Sequence, residues 1–182
     1  METTLNPLQT DIGMMSLEGD REMKVLLQEE YWEVEPQISP DGRYMAYQSN
    51  ESGKGNIYVR TIPDVSEGRW QVSNDGGNSP LWSPDGSEIF YRNGDATMVV
   101  PVETEPTFNH GNAKTLFRGT YLFSSLPQVT STPWDIHPKE KKFLMIKTPA
   151  STAEAPEAAV KQPKIIVVTN WFEELKERVP VD

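Results

Sequence analysis

A tetrapeptide that occurs twice constrains the fold of this chain more than any other feature of its sequence. Ser39-Pro40-Asp41-Gly42 is repeated as Ser83-Pro84-Asp85-Gly86, 44 residues further along the chain. A third, degenerate copy stands at His137-Pro138-Lys139-Glu140. Self-similarity at a period of about 20 to 50 residues is the signature of a repeat protein, in which each unit buries its apolar faces against its neighbours.

Each copy lies between two short apolar segments, so the repeated unit is a strand, a tight turn and a second strand. Proline presets φ at the second position of a turn, serine accepts a hydrogen bond from the backbone ahead, and glycine tolerates a positive φ. We therefore predict a structural turn role for ten residues: Ser39, Pro40, Asp41, Gly42, Ser83, Pro84, Asp85, Gly86, His137 and Pro138.

The period and the composition together predict the fold class. With 15 prolines, 12 glycines and 36% apolar residues, the chain is rich in turns, which favours a β-rich repeat over a helical bundle. The period is about the length of one four-stranded blade of a β-propeller. We predict an all-β fold of four-stranded antiparallel propeller blades, a partial propeller of about three blades, with a short C-terminal helix.

The predicted segments follow from where strand and turn signals alternate along the chain. We interpret residues 1–182 as one propeller segment, made of a half blade (11–28), two blades (35–73 and 79–117), a C-terminal blade (132–169) and a helix (170–178). The first strand of the first blade is predicted at Gln37-Ser39, and Ile165-Thr169 is predicted as a strand of the C-terminal blade. The helix is predicted because Asn170 and Glu173 form a capping box. It would either dock a partner or pack on the last blade.

Charge and cysteine content exclude several classes of function. The formal net charge is −10 and there is no Lys/Arg-rich run, so we expect no nucleic-acid binding. The chain has no cysteine, which excludes disulfides, thiolate metal sites and cysteine nucleophiles. Neither a signal peptide nor an apolar run of roughly 18 residues is visible. We expect a soluble chain, cytoplasmic as given, without membrane insertion.

The candidate chemical residues all favour structural roles. His137 stands where the other copies have serine, and His110 is expected in a solvated loop. No serine lies in a Gly-x-Ser-x-Gly elbow. Asp41 and Asp85 recur at matching turn positions, and as metal ligands they would need converging oxygen groups. Residues 74–78 are a turn and a weak calcium candidate. We predict no catalytic residue, no cofactor and no metal, and hence not an enzyme.

Longer stretches of the chain extend the comparison to a known family. They are residues 36–60, 70–77 and 82–93, Val100-Pro101-Val102, residues 143–147 and the ending Asn170-Trp171-Phe172-Glu173-Glu174-Leu175-Lys176. They resemble the TolB-like, WD-repeat-like β-propeller family, and most closely the C-terminal propeller of bacterial serine/threonine protein kinases. The resemblance implies a propeller that senses or binds, carried beyond a kinase and a membrane anchor in longer relatives. The kinase signatures themselves are absent, so this chain is not a kinase.

Three functional hypotheses follow. The first is a non-catalytic recognition module, sensory or protein-binding, from a signalling protein. The alternative is an accessory propeller detached from a peptidase or hydrolase, where it gates substrate access; a neighbouring kinase or peptidase gene would separate the two. The third is a truncated product without a function of its own. Relatives linked to kinases would place the domain outside the cytoplasmic membrane.

The number of blades raises a separate question, because the family usually builds six or more. An open arc of blades leaves sheet faces and strand edges exposed. Either the chain is a fragment of a longer protein, or two copies close one ring as a homodimer. In the second case the strands near Ile12 and Val25 would complete the short blade around Phe143 of the partner chain.

Overall fold

The structure is a computed structural model, and it describes residues 10–121, 132–140 and 142–146. The chain divides into two units, Met1–Thr148 and Pro149–Asp182, and every described residue belongs to the first. The predicted helix (170–178) and the predicted strand Ile165-Thr169 lie outside the described residues. In the part of the chain that the structure describes, no helix is long and apolar enough to cross a membrane.

The described residues have an all-β fold in which every sheet is antiparallel. The described residues contain thirteen strands: β1 (Ile12–Met15), β2 (Met23–Leu27), β3 (Glu33–Ile38), β4 (Tyr44–Ser49), β5 (Asn56–Thr61), β6 (Arg69–Gln71), β7 (Asn78–Trp82), β8 (Glu88–Asn93), β9 (Ala96–Glu103), β10 (Asn109–His110), β11 (Lys114–Arg118), β12 (Trp134–Ile136) and β13 (Phe143–Met145). The strands predicted around the three turns are therefore present.

Two larger sheets are flanked by two hairpins. The first sheet has the order β3-β4-β5-β6, and the second has the order β7-β8-β9, with both β10 and β11 paired to β9. The hairpins β1–β2 and β12–β13 each form a two-stranded sheet. None of these sheets closes on itself.

The alternation of side chains along β4 shows how the first sheet packs. Tyr44 and Ala46 contact the second sheet, whereas Met45 and Tyr47 contact Ile12 of the β1–β2 hairpin. Successive side chains of a strand point to opposite faces, so both faces of this sheet are buried.

The second sheet is likewise covered on both faces. Ile89 and Tyr91 of β8 pack towards the first sheet, and Phe90 packs on the other side against Trp134 and Phe143 of the β12–β13 hairpin. The layers therefore follow one another in chain order: first hairpin, first sheet, second sheet, last hairpin.

Hydrogen bonds join the layers at their first strands. The Glu35 carboxylate accepts hydrogen bonds from the backbone N–H of Ser79 (2.6 Å) and from its hydroxyl (3.1 Å). Glu35 and Ser79 are 44 residues apart and both have positive φ, +56° and +51°. The Ser79 carbonyl in turn accepts a hydrogen bond from Trp134 Nε1 at 3.0 Å. One residue of β7 thus links three layers.

Two details differ from the sequence-based expectation. The strand β3 begins at Glu33 and not at Gln37, because pairing with β4 continues through a bulge that contains Pro36. The prediction that His110 lies in a loop is wrong: it forms β10 with Asn109 and pairs with Val102 of β9.

Candidate functional site

The first Ser-Pro-Asp-Gly segment is a tight turn held by its own side chains. Ser39 Oγ accepts a hydrogen bond from Tyr44 N (3.0 Å) and donates one to Asp41 Oδ1 (2.5 Å). Gly42 has a φ of +75°, and its N–H donates to the Ser39 carbonyl at 2.9 Å. Partial burial opposes ionisation of Asp41, but hydrogen bonds from Ser39 and Arg43 outweigh it and lower the pKa of this carboxyl. Asp41 is engaged within its own turn.

The second turn repeats this geometry. Ser83 Oγ accepts a hydrogen bond from Glu88 N (2.9 Å) and donates one to Asp85 Oδ1 (2.6 Å). Gly86 has a φ of +73°. Asp85 also accepts a hydrogen bond from Ser87 N at 3.1 Å.

In the third turn an imidazole takes the place of the serine hydroxyl. His137 Nδ1 accepts hydrogen bonds from Lys139 N (3.3 Å) and Glu140 N (3.0 Å), the two residues that follow Pro138 in the turn. Because Nδ1 is an acceptor, the proton of the neutral ring sits on Nε2. No group of three or more His, Asp or Glu side chains that could hold a metal occurs among the described residues.

A cleft of about 280 Å³, which we call the amide cleft, lies beside the β8–β9 strand pair of the second sheet. Three separate segments line it: the connection between the two sheets, the β8–β9 strand pair and the β10–β11 connection. Its lining residues are Val72, Asn74, Asp75, Tyr91, Asn93, Met98, His110, Gly111, Asn112 and Ala113.

The amide cleft has an apolar floor and a polar rim. Tyr91 is buried at its base, and burial, reinforced by the charge of Asp75, raises the pKa of this phenol. At the rim, Asn93 Nδ2 donates to the Asp75 carbonyl at 3.3 Å, and the Asp75 side chain is almost fully exposed. His110 Nδ1 lies 3.0 Å from the Gly111 carbonyl oxygen, to which it donates when protonated.

This combination is suited to binding through hydrogen bonds. Asn74, Asn93 and Asn112 each offer both donors and acceptors, and Asp75 adds a carboxylate. Ligand sites are commonly concave, with an apolar lining and a few polar groups that fix orientation. Asn74, Asp75 and His110, which lie far apart in the sequence, are brought together in this cleft only by the fold.

A second concave surface, which we call the terminal groove, lies between the second sheet and the last hairpin. Its volume is about 480 Å³, and its walls include Phe90, Leu116, Ile136 and Phe143. Pro84 and Pro138 of the second and third turns line one end. Between the two larger sheets, Phe108 packs against Tyr44, Trp70 and Trp82.

Three of the five tryptophans pack between layers of the fold. Trp70 and Trp82 lie between the two larger sheets, and Trp134 lies between the second sheet and the last hairpin. Trp32 is partly exposed beside β3, and Trp171 lies outside the described residues.

Neither a protein-family model nor a curated protein matches this chain.

Proposed function

We propose that this chain is a segment of a β-propeller that acts as a non-catalytic recognition module. Its partner would be a polar segment of another protein, bound in the amide cleft. By its resemblance to the propellers of bacterial kinases, the module would be the sensory or protein-binding part of a signalling protein.

The propeller interpretation is supported by the repetition of whole sheets and of their contacts. In each larger sheet the first strand is bulged and contains a residue with positive φ, Glu35 in β3 and Ser79 in β7. In both sheets the Ser-Pro-Asp-Gly turn follows this strand. Both place one face on the preceding layer and one on the following layer. Radial repetition of four-stranded sheets is the architecture in which each unit has two such neighbours.

The recognition function rests on one observation, the amide cleft. Rigid sheets position its rim, while the groups that offer hydrogen bonds project from connections between strands (Asn74 and Asn112) and from the end of β8 (Asn93). Loops held by a rigid scaffold are where binding surfaces are concentrated. The rim groups Asn74, Asn93 and Asn112 pair well with the N–H and C=O groups of a peptide backbone.

The test is a binding screen of the purified chain against an array of polar peptides. The variant Asn112→Trp places an indole in the amide cleft, and Thr107→Trp places the same side chain on an exposed site outside it. We expect peptides that bind the native chain and Thr107→Trp to lose affinity for Asn112→Trp by tenfold or more. Equal binding to both variants would place recognition elsewhere and contradict this assignment.

A further inference from the structure

Exposed apolar side chains are concentrated at the two ends of the stack. Among the described residues, nine large apolar side chains are exposed, and seven of them belong to the two hairpins or their adjoining residues. They are Met14, Met15, Leu17, Met23, Val25, Leu144 and Ile146. The other two, Ile38 and Leu116, lie on the larger sheets next to those hairpins.

The β1–β2 hairpin has one covered face and one open face. Ile12 and Leu27 form a cross-strand pair that is buried on the first sheet. Met15 pairs with Met23, and Gly13 with Val25, on the opposite face. Met23 is 64% exposed there. Among the described residues, no layer covers this apolar face.

The β12–β13 hairpin is open in the same way. Trp134 and Met145 pair on the face that covers the second sheet. Leu144 pairs with Asp135 on the other face and is 75% exposed. Within the described residues, β1 pairs only with β2 and β13 only with β12, so each hairpin also has unpaired edges.

Each hairpin covers only part of the sheet beneath it. The first hairpin covers Met45 and Tyr47 of β4 but leaves Ile38, the cross-strand partner of Met45, 61% exposed. The last hairpin covers Phe90 but leaves Leu116 of β11 47% exposed at the wall of the terminal groove.

We propose that a second copy of this chain completes these layers. The edge of β13 in one copy pairs with the edge of β1 in the other, and gives a four-stranded sheet β12-β13-β1-β2 with as many strands as the first sheet. In this joint sheet Met15, Met23 and Val25 face the terminal groove and Leu116 of the copy that supplies β13. Leu144, on the opposite face, covers Ile38 of the copy that supplies β1.

Charge favours this pairing over the pairing of two like hairpins. Residues 10–28 carry four carboxylates and two cationic side chains, a net charge of −2. Residues 132–146 carry two carboxylates and three lysines, a net charge of +1, in a chain whose total is −10. The acidic hairpin therefore meets the basic one, which steers association and disfavours alternative partners.

Two-fold symmetry would form this joint sheet twice and leave no hairpin open. Each pair of copies then has four complete larger sheets and two joint sheets. This inference goes beyond the recognition function, since it uses the ends of the stack and not the amide cleft. It holds whether or not the amide cleft binds a peptide, and the two proposals fail in different experiments.

The first test is the solution mass of the full chain, measured by light scattering after size-exclusion chromatography. We expect about 41 kDa, twice the chain mass of 20.6 kDa. A mass of 20.6 kDa at micromolar concentration would overturn the proposal. In that case another occupant, such as the sequence-predicted strand Ile165-Thr169 of the same chain, would have to be sought. A mass that keeps rising with concentration would indicate open-ended association of copies, and would overturn the proposal of a closed dimer.

Charged substitutions locate the interface without disturbing a core. Met23→Glu and Leu144→Glu alter side chains that are exposed in the single chain, so each variant is expected to fold, as checked by circular dichroism. Both should reduce the mass to that of one chain, whereas Ala113→Glu, at an exposed site away from the hairpins, should not. A dimer that survives both substitutions would place the interface elsewhere.

Cross-linking provides a second readout, because the chain has no native cysteine. Met14→Cys and Leu144→Cys lie on the same face of the proposed joint sheet, one in each hairpin. After exchange of subunits, a mixture of the two variants should give a cross-linked dimer with a bismaleimide. Either variant alone should give none, and cross-linking of a single variant to itself would instead indicate pairing of like hairpins.

Discussion

Glu33, the first residue of β3, is a buried carboxyl group whose ionisation the fold opposes. Its side chain is only 3% exposed, and Oε2 has no hydrogen-bond partner within the described residues. Burial, together with the charges of Glu29 and Asp11, raises the pKa of this carboxyl to about 7 against the opposing effect of Arg60. We therefore predict that Glu33→Gln stabilises the protein at pH 8 and not at pH 4.

The direction follows from proton linkage. Between pH 4.5 and 7 the folded chain retains a proton on Glu33 that the unfolded chain releases, so stability falls as pH rises through this window. Below pH 4 both states are protonated and the effect vanishes. A rise in pKa from 4.5 to about 7 corresponds to about 3 kcal/mol, at about 1.4 kcal/mol per unit. Glutamine is neutral at every pH, so the variant avoids this loss, and its free energy of unfolding at pH 8 should be higher by roughly 2 to 3 kcal/mol.

The assay is urea unfolding followed by tryptophan fluorescence at pH 4, 6 and 8. The control is Glu67→Gln, which makes the same change at an exposed position before β6 and should alter the free energy of unfolding by less than about 0.5 kcal/mol. A gain for Glu33→Gln that is equal at all three pH values, or a loss of stability at pH 8, would refute the assignment of an unfavourable buried charge.

Three further substitutions test the contacts between layers and the turns. Glu35→Ala leaves the buried N–H of Ser79 without its acceptor and should lower the free energy of unfolding, measured in urea, by about 2 to 3 kcal/mol. An unchanged urea midpoint would show that the Glu35–Ser79 hydrogen bonds do not stabilise the contact between the layers. Trp134→Phe removes the hydrogen bond to Ser79 and should lower the free energy of unfolding by about 1 kcal/mol, with a further loss from packing. Trp82→Phe removes the corresponding indole hydrogen bond and should have a similar effect when the two variants are compared by thermal unfolding. Gly86→Ala should lower the free energy of unfolding by about 1 kcal/mol because alanine is strained at a φ of +73°. Gly86→Asn should lower it less, since asparagine tolerates this conformation better. The reverse order of the two variants would argue against backbone strain as the cause.

Most of the strands could be predicted because their signals are local. The alternation Tyr44-Met45-Ala46-Tyr47 is buried on both faces, and the two glycines after Asp41 and Asp85 adopt the positive φ that their turns require. His110 was misplaced because a two-residue strand has no periodicity to detect. The amide cleft was not predictable, since its rim comes from segments that are distant in sequence.

The sequence by itself determined the repeat, the turn chemistry and the all-β class of the described residues. These depend on the restricted φ of proline, the permissive φ of glycine and the two-residue period of strands, which act over a few neighbouring residues. Only the tertiary structure decided that Glu33 is buried with no partner for its Oε2 among the described residues, that Glu35 reaches Ser79, and that both end hairpins keep an apolar face open. Those properties depend on which layer packs on which face, and long-range packing is not encoded within any single segment.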